Sequence, residues 1–91
     1  MKCCSYTIGT IIDISDSMNE PYKFITIAKR PDDIYTHTRL VYSQSTIILD
    51  HEYNEISIDD LRIGDTIVAF HSNLMTMSIP PQTSVCIIEV K

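Results

Sequence analysis

Ser57-Ile-Asp-Asp-Leu61-Arg-Ile-Gly64-Asp65-Thr-Ile-Val-Ala-Phe-His71-Ser-Asn73 is the stretch whose reading decides the fold. Ser57 followed three residues later by Asp60 has the form of a capping box, with Asp in place of the usual Glu. This predicts a short helix that carries Ile58 and Leu61. Gly64-Asp65 reads as a tight turn, since glycine and aspartate are both turn formers. Thr66 to Ser72 then reads as a strand, apolar in its middle and bounded by turn signals. A helix seed set between two groups of strands implies a small barrel.

The flanking sequence fits that expectation. Tyr6, Ile8, Ile12 and Ile14 alternate with Thr7, Gly9, Asp13 and Ser15, the period-2 signature of a strand with one buried face. Gly9 reads as a bulge or bend in that strand. Residues Asp16 to Pro21 read as a loop. Tyr22 to Lys29 is rich in strand formers, and Arg30-Pro31-Asp32-Asp33 as a turn. Ile34 to Tyr42 predicts a third strand, and Thr46 to Leu49 a short fourth after Ser43-Gln44-Ser45. A charged loop, Asp50 to Glu55, leads into the capped segment. Leu74 to Gln82 is a loop by its two prolines, and Thr83 to Val90 is the last strand.

Residues 1–91 thus read as a single all-β domain with one short helix: a five- to six-stranded OB-like Greek-key barrel. An SH3-like barrel is the alternative. The alternation places Ile8, Ile12, Ile14, Phe24, Leu49, Leu61, Ile67, Ala69, Ile88 and Val90 in the core.

Composition narrows the function classes. Seven basic residues face twelve acidic ones, a net charge of −5. Affinity for nucleic acid comes largely from phosphate neutralisation by Lys and Arg. Lys29, Arg30, Arg39 and Arg62 are the cations on offer, so nucleic acid is not the expected partner. Apolar runs are far shorter than the roughly 20 residues a membrane helix needs, so no membrane association is expected. Met1 to Gly9 contains no apolar targeting core, and a cytoplasmic location is expected. Cys3, Cys4 and Cys86 are then expected as reduced thiols. Adjacent cysteines pair only with strain, and Cys86 sits in an apolar strand pattern where a thiol acts as a small hydrophobe.

The chemistry-bearing motifs are weak. Asp50-His51-Glu52-Tyr53-Asn54-Glu55 has alternating ligand types, but Glu55 stands where a calcium loop needs glycine and Leu61 where it needs a bidentate carboxylate. His37, His51 and His71 lack a paired metal-ligand spacing. With only Gly9 and Gly64, no glycine-rich phosphate loop or nucleophile elbow can be written. No enzyme activity, cofactor or metal is expected.

The unusual segment is Leu74-Met75-Thr76-Met77-Ser78-Ile79-Pro80-Pro81-Gln82. It joins two strands that a tight hairpin could have connected. Two arrangements are open: the apolar side chains fold back and close the barrel end, which is the ordinary outcome, or they form an interaction surface. Methionine adapts to varied partners, exposed apolar patches mark binding sites, and Pro80-Pro81 favours an extended shape. Leu74, Met75, Met77, Ile79, Pro80, Pro81 and Gln82 are therefore the candidate binding residues.

Met75-Thr76-Met77-Ser78-Ile79-Pro80-Pro81-Gln82 and the strand after it resemble a group of small uncharacterised proteins and domains from Gram-positive bacteria. Their usual form is Met-Thr-Arg-Ser-Ile/Leu-Pro-Pro-Gln. Gly9-Thr10-Ile11, Thr46 to Asp50 and Asp60 to Asp65 fit the same pattern, so the likeness runs from Thr7 to Val90. Met77 stands where the group usually has Arg, which removes a cation from the loop. The resemblance implies an OB-like barrel and no particular activity.

Two functions follow as expectations. The first is a small non-catalytic binding or interaction module using the 74–82 loop, with a protein partner or a second copy. The alternative is an oligonucleotide- or oligosaccharide-binding domain using the face of strands two and three. There Tyr22, Phe24, Tyr35 and Tyr42 alternate with Lys23, Lys29 and Arg39, a composition suited to base stacking.

Overall fold

The computed structural model describes Cys3, residues 5–16 and residues 22–91. Cys4 and the loop expected over residues 17–21 lie outside the described residues. Seven strands form: β1 (Ser5–Asp16), β2 (Lys23–Ala28), β3 (His37–Tyr42), β4 (Ile47–Leu49), β5 (Glu55–Ile56), β6 (Thr66–His71) and β7 (Gln82–Val90). They lie in the order β3-β2-β1-β6-β7-β4-β5, and a further pairing of β3 with β7 closes β1, β2, β3, β7 and β6 into a barrel. The expected OB-like barrel therefore forms, with β4 and β5 added as a short extra pair.

Closure depends on β7. One of its edges runs antiparallel to β6. Its other edge is shared: the first half lies parallel to β3, pairing Arg39 with Gln82 and Val41 with Ser84, and the second half lies parallel to β4. The expected short helix is a single 3-10 turn, Ile58–Asp60, with the capping box complete. A second such turn occupies Ile34–Thr36, where the sequence suggested the start of the third strand. The Asp33 carboxylate accepts from the Tyr35 amide and draws that segment out of the sheet.

The core consists of Ile11, Ile25, Ile27, Leu40, Ile48, Ile58, Leu61, Ile67, Ala69, Val85 and Ile88, with Ile14 and Val90 partly buried against it. Leu61, Ile67, Ala69 and Ile88 are where the pattern placed them. Four expected positions are not. Ile8 is 47% exposed, while Ile11 is fully buried. Ile12, Phe24 and Leu49 are only half-buried. In β2 and β4 the neighbours Ile25 and Ile48 fill the interior instead. In β1 the register with β2 shifts between Ile11 and Asp13, so Ile12 is the extra residue of a bulge and the inward phase changes there.

The bulge lies beyond Gly9, not at it. Gly9 instead lets two backbones come close: a Cβ there would sit 3.1 Å from the Ala28 carbonyl oxygen. Ala28 is held in the sheet by its pairing with Thr10, so it cannot yield easily. Gly9→Ala should lose about 1–2 kcal/mol, the overpacking cost less the entropic gain of replacing glycine. A variant as stable as the wild type in urea denaturation would contradict the close approach.

Cys86 is not a free thiol. It forms a disulfide with Cys3, their Cα atoms 6.3 Å apart. In the sheet order β6 lies between β1 and β7, so the bond ties the segment before β1 to the strand on the far side of β6. Among the described residues, no helix is long and apolar enough to cross a membrane.

Candidate functional site

The segment between β6 and β7 is held in shape by its polar residues. His71, 2% exposed at the end of β6, sets its base. Its Nδ1 lies 2.8 Å from the Ser72 carbonyl oxygen and therefore donates to it, and its Nε2 shares a hydrogen bond with the Thr7 hydroxyl at 2.8 Å. The same Ser72 carbonyl accepts from the Thr83 hydroxyl, and the Ser72 amide donates to the Ser84 carbonyl. Further out, the Thr76 amide donates to the Gln82 carbonyl and the Gln82 amide to the Thr76 hydroxyl. The Ser78 hydroxyl donates to the Pro80 carbonyl, so at the 2.7 Å Thr76–Ser78 contact it is Thr76 that donates. The Arg39 amide fixes the far end by donating to the Pro81 carbonyl. The loop is thus a folded-back hairpin extension, and not the extended segment that Pro80-Pro81 suggested.

The hydroxyl groups hold the backbone, and the apolar side chains face water. Leu74 is 79% exposed, Met75 42%, Met77 102% and Ile79 62%. Of the two arrangements the sequence left open, the loop takes exposure. It does not plug the barrel.

On the side toward β3 and β7 the loop bounds a groove of about 350 Å³, lined by Val41, Leu74, Met75, Thr76, Gln82, Thr83 and Ser84. None of these residues is charged. Met77 and Ile79 extend beyond the groove, at the loop tip, and Pro80 and Pro81 form the half-buried return to β7.

The groove adjoins the outer face of β2 and β3. Leu40 points into the core, so Arg39 and Val41 point outward. Val41 pairs with Phe24 on β2 and with Ser84 on β7, and Arg39 pairs with Thr26 and Gln82. The Arg39 guanidinium lies over the Phe24 ring, 5.5 Å from its centroid. The remaining residues expected on this face scatter. Tyr42 packs against the core. Tyr35 stands out at 82% exposure on its 3-10 turn, and Tyr22 is 44% exposed just before β2. Lys23 pairs with Asp16, and Arg30 pairs with Asp33. Thr76, Thr83, Val41 and Ser84 are the groove residues that sequence reasoning missed, and the last two lie on different strands. Only the parallel β3–β7 pairing brings them together.

The remaining titratable groups have local roles. Asp50 accepts from the amides of Asn54 and Glu52, and chiefly the Asn54 bond holds its carboxyl below the usual value. A self-bonded aspartate at a turn accounts for this loop without an ion. Among the described residues, no group of three or more His, Cys, Asp or Glu is placed to hold a metal. A second apolar strip runs over the outside of β1, β6, β7 and β4 through Tyr6, Phe70, Ile87 and Ile47, and does not line the groove.

In comparisons with protein families, curated proteins and solved structures, the chain matches none.

Proposed function

We propose that this chain is a non-catalytic binding module whose groove, between the 74–82 loop and the β3–β7 seam, takes an apolar segment of a protein partner. One observation carries the reading: Leu74, Met75, Met77 and Ile79 face solvent on a loop whose shape is already set by its own hydrogen bonds. A preorganised apolar surface loses little entropy on binding. The groove volume is at the lower end of the range for ligand sites. The likeness to the small Gram-positive proteins agrees with an OB-like binding barrel and is itself part of this proposal. The Cys3–Cys86 disulfide fits a compartment that oxidises thiols. That is the location this reading takes, in place of the cytoplasm.

The test is the double change Met75→Ser with Met77→Ser. Exposed side chains leave stability within about 0.5 kcal/mol when replaced, so thermal melts of variant and wild type should coincide. Binding of short apolar peptides, read by amide chemical shifts of Val41, Thr76, Gln82 and Ser84, should fall at least roughly tenfold. If the double change unfolds the protein, the loop is structural and the reading fails. Sedimentation of the wild type over a range of concentrations reads whether a second copy is the partner.

A second reading, an oligonucleotide- or oligosaccharide-binding face on β2 and β3, is favoured by Arg39 over Phe24 alone. The net charge of −5 opposes its nucleic-acid form. No binding of a single-stranded oligonucleotide is expected at physiological salt. A micromolar complex that weakens steeply with salt would put this reading first.

A further inference from the structure

We infer that the groove recognises the C-terminal end of an apolar peptide, with the terminal carboxylate on Arg39 and the last apolar side chain between Val41, Leu74 and Met75. This deepens the proposed function and rests on it. The first argument is charge. Arg39, like Lys29, Arg62 and Lys91, enters no ion pair among the described residues, whereas Lys23 and Arg30 are both paired with carboxylates. Arg39 as a residue is half-buried, and its guanidinium lies over Phe24, 5.5 Å from the ring centroid. A cation that is partly desolvated and held in place is a stronger anion partner than one free in water.

Position is the second argument. Arg39 shares the outer face of β3 with Val41, and its cross-strand partner Gln82 lines the groove. Arg39 therefore stands beside a groove whose lining is uncharged. That combination suits one negative charge attached to an apolar body. A polyanion needs several cations, and no Lys or Arg lies between Thr66 and Ile88. A carboxylate matches the planar donor fork of arginine in a two-point contact.

Polarity selects a peptide over a free fatty acid. About 350 Å³ accommodates one or two side chains. Met77 and Ile79 lie beyond the groove and would meet whatever continues out of it. The side chains of Gln82 and Ser84 make no hydrogen bond among the described residues and are available to the amides of a bound backbone.

The experiment titrates the isotope-labelled full chain with acetyl-Ala-Val-Leu-Leu as the free acid, with the same peptide as its C-terminal amide, and with decanoate. The acid should shift the amide signals of Val41, Thr76, Gln82 and Ser84. The amide form should bind roughly tenfold more weakly, the loss expected for one charged hydrogen-bonded contact. Arg39→Gln should bring acid and amide to the same affinity, and Arg39→Lys should keep part of the difference. The comparison of the two peptides on the unaltered protein needs no variant to fold. Equal binding of acid and amide at the groove would overturn the role of Arg39 and leave the apolar-segment reading standing. Decanoate binding without peptide binding would overturn the peptide assignment. Binding of none of the three would remove both the inference and the reading beneath it.

Discussion

Replacing Leu61 by alanine is expected to lower folding stability by about 2–5 kcal/mol, the range for a buried leucine cut back to its Cβ. Leu61 is 4% exposed and belongs to the core. The cost depends on whether the surroundings can collapse into the space left behind. Here they are held from several sides. The Asp60 carboxylate accepts from the Ser57 amide, the Ser57 hydroxyl from the Asp59 amide, and the Asp65 carboxylate from the Arg62 amide. The Gly64 amide donates to the Ile11 carbonyl, and the Ile11 amide to the Asp65 carbonyl, which ties the turn to β1. A segment fixed in this way cannot sink inward, so the loss should fall in the upper half of the range. A small domain has about 5–15 kcal/mol of stability in all, so the variant should unfold at much lower urea. Chemical denaturation followed by circular dichroism measures the loss. Under 1 kcal/mol would mean that Leu61 does not fill the core. Met77→Ala, at a fully exposed position, is the matched control and should change nothing.

That prediction rests on the part of the chain that was most legible. The 57–65 segment carries its own instructions: a Ser–Asp capping pair, a glycine with positive φ at Gly64 and an Asp that bonds back three residues. Local chemistry of this kind reads directly from sequence. The inward phase of β1 does not. Ile11 and Ile12 are both apolar, so alternation cannot say which one is the bulge, and the choice is made by the pairing with β2. The direction of the 74–82 loop was also illegible. Four large apolar side chains suggest burial, and the exposed outcome is set by where Thr76, Ser78 and Gln82 find hydrogen bonds. The groove floor was illegible for a topological reason. Val41 and Ser84 meet only because the barrel closes by a parallel contact between strands far apart in sequence.

Opening the Cys3–Cys86 disulfide is expected to cost stability on a similar scale. The two cysteines are separated by 83 positions, so the bond closes almost the whole chain into one loop. Restricting an unfolded chain over that length stabilises the folded state by about 4–5 kcal/mol in the loop-entropy account, and measured losses for small domains run about 2–5 kcal/mol. The Cα separation of 6.3 Å lies within the usual span of a disulfide, so the fold meets the bond without a shift of its backbone. Cys86→Ser is the informative change, because it also removes the partner that Cys4 could take in place of Cys3. Three urea curves decide the matter: wild type, wild type with reductant, and Cys86→Ser with reductant. The last two should coincide, at a midpoint well below the first, because both lack the same constraint. A wild type whose midpoint ignores the reductant while free thiols are detected would mean that the barrel hydrogen bonds and core hold the N-terminal segment unaided. In that case the oxidising compartment proposed for the protein would lose its support.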